Sequence, residues 1–474
     1  MTEVVNNAAA VSPAVRDVGV WLVTDVYPPG CGGSGWSTHA LARTLAARGH
    51  RVEVISLDPD AEGLSQRVFE DIHVTELGVG RARRNPLRRL GAQDYAHEAL
   101  ERYLAARLEE TPRPGILHAQ HLHSGPPTVV AAASAASAAS VASAVSATSA
   151  VSATSAASAA SVASVAPVAS PGIASVQTLR DYWPVCLHGT SWWNGKECGG
   201  CSTANLSGCM SEYWGWPGAL ARLMVPWARR RLAARRAGVE AADGVITVSD
   251  WVRRRIEPEA PAARYEALPN IVDADATRAS AQAAAPVDIP FEGKYLVAAG
   301  KLVATKGFDR LLAALAESGC ELPLVLAGSG PERQRLQQQA AAAALDVHLP
   351  GWVAHSSLLR LIDSAHAFVL PSAWSEPLSR LLLEALALGT PVITWRSGGN
   401  PEHLDSGVNA FVVGGAEDLG EAIEALGEPG RAQRMGSAGE ALARREFSPE
   451  SVYPRLMETY AKALRHSDVK ANAR

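Results

Sequence analysis

Residues Phe368 to Glu402 read FVLPSAWSEPLSRLLLEALALGTPVITWRSGGNPE, and this stretch decides how the rest of the chain is read. It opens on a short apolar run, Phe368-Val369-Leu370, of the kind that forms a strand buried on both faces, and breaks at Pro371-Ser372. A polar loop from Ala373 to Pro377 carries the carboxylate of Glu376. Leu378 to Leu388, rich in Leu and Ala, is expected as a helix with Glu384 inside it and Gly389 at its C-cap. Pro391 to Thr394 is a second apolar strand, followed by the loop Ser397-Gly398-Gly399-Asn400. The unit is strand, helix, strand, with a carboxylate where the first strand ends and glycines where the second ends. Open α/β sheets bind their ligands outside those carboxyl ends.

Glu376 precedes the helix, so its carboxylate can face a ligand lying over the helix N-terminus, and Glu384 can reach the far end of the same ligand. That N-terminus offers unpaired N–H groups and the positive end of the helix dipole, which suit a diphosphate. A carboxylate for sugar hydroxyls, a helix end for phosphates and a carboxylate for ribose together describe a nucleotide-sugar site. A lone E-x7-E on such a helix is most often a solvated face, so the whole constellation carries the reading. Glu376-x7-Glu384, with Gly389-Thr390-Pro391-Val392 and Gly398-Gly399, resembles the donor-site motif of the GT4 family (glycosyl transferases group 1) of retaining glycosyltransferases. The resemblance implies the GT-B fold: α/β, with two Rossmann-like doubly wound parallel-sheet domains facing a central cleft. The chain departs from the family's E-G-F-G, with Glu376-Pro377-Leu378-Ser379 in its place. Pro377 has no N–H to offer, and Ser379 lacks the backbone freedom of glycine.

The chain's 474 residues suffice for two domains of ordinary size, and 47% apolar residues with a net charge of −4 argue for a soluble globular protein without a nucleic-acid partner. No apolar run reaches the length of a membrane span. Residues 1–17 are expected as a loose tail without a basic-plus-apolar leader, which points to a cytoplasmic location. Six cysteines in this length fit a reducing compartment.

Val18 to Thr24 is a buried strand, followed by a glycine-rich turn over Tyr27 to Gly35 and a helix from about Ser37 to Arg48. Gly32 and Gly33 can let phosphate approach the backbone. The spacing is not G-x-G-x-x-G and no acidic residue is placed for a ribose, so a nicotinamide-dependent dehydrogenase is set aside. With Gly49-His50, this opening resembles that of GT4 chains, where the glycine loop lies under the donor phosphates. Arg81 to Arg89 is a basic cluster, either a solvated loop or a contact for anionic head groups or a phosphorylated acceptor. A strand beginning at Ile116 ends among His118, His121 and His123. The resemblance puts His118 and His121 near the reacting sugar carbon, with Gln120 standing where the family commonly has its second His. Residues 131–170 are almost only Ala, Ser, Val and Thr, with Ser every third residue from Ser134 to Ser164. That period matches neither a helix face nor a strand face, and the stretch is read as a low-complexity insertion with no catalytic role.

Leu179-Arg180-Asp181-Tyr182-Trp183 resembles the family's L-H-D-Y-W, with Arg180 in place of the His. Arg180 and Asp181 are expected on the acceptor side, where an Arg can pair with an acidic or phosphorylated acceptor. Cys186, Cys198, Cys201 and Cys209 follow, with Cys198-Gly-Gly-Cys201 at zinc-knuckle spacing. They are a structural zinc or iron–sulfur site, buried free thiols, or an occasional disulfide. Trp214 to Gly238 turns from aromatic to strongly basic, either a membrane-surface helix or a domain helix with a solvated basic face. Asp58-Pro-Asp60 and Asp273-Ala-Asp275 are D-x-D matches read as loop acids. In the second half, a strand at Tyr295 to Ala299 leads into Gly300-Lys301-Leu302 and Lys306-Gly307, cations in a glycine-flanked loop suited to a diphosphate. Gly328 and Gly330 repeat the strand-then-glycine pattern and match the family's A-G-x-G-P.

The expected organisation is an acceptor domain over 18–273, a linker over 274–292, a donor-nucleotide domain over 293–448, a helix over 449–466 returning to the first domain, and a tail over 467–474. The expected function is transfer of a sugar from a nucleotide-diphosphate sugar, with retention and without a catalytic metal, to a hydroxyl on a sugar or lipid-linked acceptor. In the roles implied by the resemblance, Glu376 holds sugar hydroxyls, Glu384 the ribose, and Lys301 and Lys306 the leaving diphosphate. Peripheral contact with the inner membrane surface is part of the expectation. The alternative is a non-catalytic sugar-nucleotide or membrane-surface binding protein that keeps the GT-B shell.

Overall fold

A computed structural model describes residues 18–58, 61–79, 92–110, 112–120, 132–133 and 172–472. The tail over 1–17, the basic cluster, His121, His123 and nearly all of the Ala/Ser insertion lie outside the described residues.

The first sheet has eight strands: β1 (Val20–Thr24), β2 (Val52–Asp58), β3 (Glu62–Phe69), β4 (Ile72–Val79), β5 (Ile116–Ala119), β6 (Ala174–Leu179), β9 (Gly244–Thr247) and β10 (Tyr265–Ala267). Between β6 and β9 the chain makes a separate two-stranded ribbon of β7 (Trp192–Trp193) and β8 (Lys196–Glu197). The sheet order is β10-β9-β6-β5-β1-β2-β4-β3, and every pairing is parallel except β3 on β4. The second sheet has six strands: β11 (Leu296–Ala299), β12 (Leu324–Ala327), β13 (Val347–Gly351), β14 (Ala367–Leu370), β15 (Val392–Trp395) and β16 (Phe411–Val413). Its order, β13-β12-β11-β14-β15-β16, is that of a doubly wound fold with the topological switch between β11 and β14. The first sheet has its own switch between β1 and β5.

The central strands β1, β5, β6, β11, β12 and β14 are buried at every position, which is why they read as plain apolar runs. The β3–β4 hairpin had no counterpart in the sequence reading. Its turn residues Glu70 and Asp71 both take positive φ, as a tight right-twisting hairpin turn requires, and β3 forms an exposed, polar edge. The helix after β14 runs from Arg380 to Leu388 rather than from Leu378. Asn400 Oδ1 accepts the Ser379 N–H at 2.8 Å and holds the preceding residues outside the helix. Gly389 ends it at φ +75°, as expected of a C-cap.

Instead of a bare linker, residues 274–292 carry a helix, Ala274–Ala283, capped by Asp273, whose carboxylate accepts the Ala276 N–H at 3.0 Å. Asp275 pairs with Arg444 at 2.6 Å. Both acids of that D-x-D therefore have local structural partners. The last helix, Pro449–Asn472, lays Val452, Leu456, Met457 and Tyr460 on the first sheet, against Val20, Ile116, Val176 and Ile246. Among the described residues no helix is long and apolar enough to cross a membrane.

Candidate active site

The two loops that leave β11 and β14, either side of the switch in the second sheet, meet at a charge pair. Lys306 Nζ lies 2.6 Å from Glu376 Oε1, and Ser372 Oγ donates to Glu376 Oε2. Glycines bring these backbones together. Gly307, at φ +70°, would place a Cβ 2.1 Å from the Pro371 carbonyl oxygen. Gly398, at φ +61°, would place one 2.1 Å from the Glu376 carbonyl oxygen, which also accepts the Gly399 N–H at 2.8 Å. No side chain fits at either position, so Glu376 is clamped from both loops. Lys306 also lies over the Trp374 ring, 5.7 Å from its centroid. Lys301 is exposed and makes no ion pair among the described residues. Gly328 and Gly330 are explained by packing: a Cβ would lie 1.9 Å from the Gly300 oxygen and 2.3 Å from that of Leu302.

Glu384 is completely buried. Its Oε1 is shared by His355 Nε2 at 2.9 Å and Arg380 Nε at 2.7 Å, while Oε2 has no partner. Burial alone raises this carboxyl's pKa, but His355 and Arg380 outweigh it and hold the group at about 2. A buried, ionised oxygen without a donor is unusual, since such groups are almost always hydrogen-bonded. Trp36, on the Gly33–Ala46 helix of the first domain, stacks on His355 with ring centroids 3.9 Å apart. At Gly33 a Cβ would meet Arg380 Cβ at 2.9 Å, whereas Gly32 has open space around it. The glycine turn after β1 therefore touches the N-terminus of the Arg380–Leu388 helix.

Further ties cross between the domains. Tyr182 Oη donates to the Ser375 carbonyl, Ser249 Oγ donates to that of Pro377 at 2.7 Å, and Arg380 Nη1 donates to that of Ile271. The loop carrying Glu376 is thus fastened by residues at the carboxyl ends of β6 and β9.

His118 lies in β5 with 1% exposure, and both its ring nitrogens are taken, by Tyr460 Oη at 2.7 Å and Thr178 Oγ1 at 2.8 Å. Burial, aided by Arg180, holds its pKa well below the usual histidine value, so the ring is neutral. In this arrangement it supports the strand end. Gln120 is fully buried with neither amide atom partnered. Arg180 Nε donates to Asn270 Oδ1 at 3.0 Å. Asp181 accepts the Trp183 N–H at 2.8 Å, closing a turn on its own backbone.

Zinc or iron–sulfur at the cysteines is not supported. Cys186, Cys198, Cys201 and Cys209 are free thiols, and among the described residues no three His, Cys, Asp or Glu side chains are set to hold a metal. Cys198 Sγ is directed at the Gly200 carbonyl and Cys201 Sγ at that of Val185, both at 3.6 Å. Burial, reinforced by the neighbouring thiols, pushes Cys201 up to about 11 and Cys209 to about 12, which keeps them as thiols.

The sequence reading did not single out Arg380, His355 or Trp36. None carries a motif of its own, and what marks them is the approach of the other domain.

Two doubly wound sheets whose switch-point loops meet across one cleft define the GT-B class. The same fold appears in sucrose-phosphate synthase from Thermosynechococcus elongatus, at TM-score 0.61 and 18% identity over 94% of this chain and 98% of that one. It appears again in HepE of Anabaena in complex with UDP-glucose, at TM-score 0.59 and 16% identity over 94% of this chain and 99% of that one. Residues 32–271 match the family model for the glycosyl transferase 4-like domain, and residues 282–441 that for glycosyl transferases group 1. The chain belongs to the GT4-like, group 1 family of glycosyltransferases.

Its relatives include the GDP-mannose-dependent alpha-(1-6)-phosphatidylinositol monomannoside mannosyltransferase of Mycolicibacterium smegmatis, 33% identical over 235 residues, or 46% of this chain and 60% of that protein. The alpha-maltose-1-phosphate synthase of the same organism is 27% identical over 252 residues, or 48% of this chain and 65% of that one. The chain spans less than two thirds of the length of these curated relatives.

Proposed function

We propose that this protein transfers a hexose from a nucleotide-diphosphate sugar to a hydroxyl acceptor, with retention of configuration and without a catalytic metal. The observation that carries the reading is the convergence of Lys306 and Glu376, 2.6 Å apart, at the switch point of the second sheet. In the reaction the bond from the anomeric carbon to the diphosphate oxygen breaks. The acceptor oxygen bonds to that carbon, and its proton leaves with the diphosphate. Lys301, Lys306 and the N-terminus of the Arg380–Leu388 helix stabilise the charge that develops on the diphosphate. Gly32 leaves room for the phosphates, Gly33 lets its helix approach Arg380 beside them, and Gly328 and Gly330 shape the adjoining loop. Glu376 takes sugar hydroxyls, and the unpartnered Oε2 of Glu384 takes a ribose hydroxyl. His118 positions the end of β5 beside the sugar, and Arg180 and Asp181 face the acceptor side.

Contact with a membrane surface is the second part of the proposal. Leu220 and Leu223 are exposed at 43% and 75%, beside exposed Arg222, Arg229 and Arg230. That combination suits an anionic lipid surface.

The test is a panel of UDP-, GDP-, ADP- and dTDP-sugars, scored by thermal shift and by donor hydrolysis, with and without EDTA. One donor that stabilises the protein and is slowly hydrolysed despite EDTA supports a metal-independent transferase. Stabilisation without turnover, even with acceptor sugars present, favours a binding protein. Absence of stabilisation by any donor overturns the reading.

A further inference from the structure

Arg180 stands at the carboxyl end of β6. Its Nε is bound to Asn270, but its Nη1 is sealed from solvent and has no partner. Guanidinium does not give up its proton at ordinary pH, so this sealed N–H is an unmet demand for an acceptor. Among the described residues no carboxylate is bonded to Arg180. Burial, and after it the neighbouring cation Arg380, pushes it down to about 9. Arg380 donates to the carbonyl of Ile271, the residue after Asn270, so the two guanidinium groups fasten to successive residues of one loop. The carboxylate that Arg380 touches, Glu384, is shared with His355. Positive charge at this point exceeds negative.

Beside Arg180 lies a cavity of about 30 Å³, room for a water or two, with Ser37, Thr178 and Asn270 on its polar side and apolar side chains such as Leu41, Val452 and Leu456 around the rest. Gln120 ends the neighbouring strand, with its buried amide also unpartnered. The donor diphosphate has its own cations, Lys301 and Lys306, on the second domain. The arginines are therefore surplus to it.

We infer, resting on the glycosyltransferase reading above, that Arg180 and Arg380 receive an anionic group, a carboxylate or a phosphate, carried either by the transferred sugar or by the acceptor. The fork of a guanidinium matches both groups. A hydroxyl of a neutral hexose can accept from Arg180 Nη1, but it leaves the charge of the two arginines unbalanced.

The full chain tests this in two calorimetric arms. In the acceptor arm, protein saturated with UDP, and protein without it, are titrated with glucose 6-phosphate, glucuronate and glucose. In the donor arm, UDP-glucuronate is compared with UDP-glucose. The expected result is at least a tenfold preference for the anionic member in one arm, which names the source. That preference disappears in Arg180→Gln and survives in part in Arg180→Lys. Equal affinities in both arms overturn the inference, and so does a preference that survives Arg180→Gln. A phosphate preference abolished by UDP also overturns it, since the anion is then occupying the diphosphate site. Ligand-free Arg180→Gln should melt at or above the wild-type temperature, because it removes an unsatisfied buried cation. A large fall assigns Arg180 to holding the fold and overturns the inference. If wild-type protein binds no nucleotide at all, the proposed function fails, yet the comparison without UDP still reads the anion site.

Discussion

Lys306 and Glu376 hold each other's charge across the gap between two loops, and each has a partner before any ligand arrives. Lys306→Ala removes a cation from the position proposed for the diphosphate, and Glu376→Gln keeps the shape while removing the charge. Either should lower the initial rate of donor consumption at least about tenfold, some 1.4 kcal/mol in the barrier, with the fold intact by circular dichroism. Glu384 makes a separate prediction about pH. Its folded pKa, about 2, lies below the unfolded 4.5, so its ionised form stabilises the fold fully above pH 4.5, and that contribution is lost as pH falls towards 2. The amount is roughly 3 kcal/mol at most. Urea titrations between pH 5 and 3 should therefore show a shallower loss of stability in Glu384→Gln than in wild type. Glu376, Glu384 and Lys306 were legible in the sequence because strand ends and glycines bracket them. Arg380 was not, because a cation at the start of a helix reads as solvated until Ile271, Gly33 and Glu384 are seen around it.

At the scale of single elements, two glycines that look alike in sequence do different things. Gly389 caps the Arg380–Leu388 helix at φ +75°, with nothing closer than 3.5 Å to a Cβ placed there. Gly398 has φ +61°, but a Cβ there strikes the Glu376 carbonyl. Gly389→Ala should cost only the left-handed backbone penalty, about 1–2 kcal/mol in chemical denaturation, and leave donor affinity alone. Gly398→Ala should lower stability by more and weaken donor binding as well, because it displaces the backbone of Glu376. Equal effects of the two on donor affinity would refute the clamp. Half-exposed β10 and β16 escaped the sequence reading, but the core strands of both sheets could be read because full burial makes them largely apolar. The β3–β4 hairpin could not, since its outer strand faces solvent along most of its length and its turn, Glu70-Asp71, lacks glycine. The helix after Asp273 was hidden by an Ala- and Pro-rich composition that reads equally as a linker.

Across the whole molecule, the domains are joined by a shared apolar cluster and by specific contacts, among them Trp36 on His355, Tyr182 on Ser375, Ser249 on Pro377 and Arg254 on Glu402. A second kind of tie runs along the chain, for the final helix packs on the first sheet, where Tyr460 Oη meets buried His118 at 2.7 Å. Tyr460→Phe should destabilise the protein by about 1–3 kcal/mol in urea, by leaving a buried histidine nitrogen unpaired, and should hardly change donor affinity. A stability unchanged by that substitution would mean water reaches His118. The return of the last helix was expected from the family resemblance, but the individual contacts were not, since no local pattern specifies a partner hundreds of residues away. The placement of the last helix also sets an order of events during synthesis. Every strand of the second sheet has been made before Pro449–Asn472 emerges, whereas β1, β5, β6 and β9 wait for that helix to cover Val20, Ile116, Val176 and Ile246. Domains generally complete themselves in the order they are translated. Here the half of the protein made first keeps part of its apolar face uncovered until the last helix has been made.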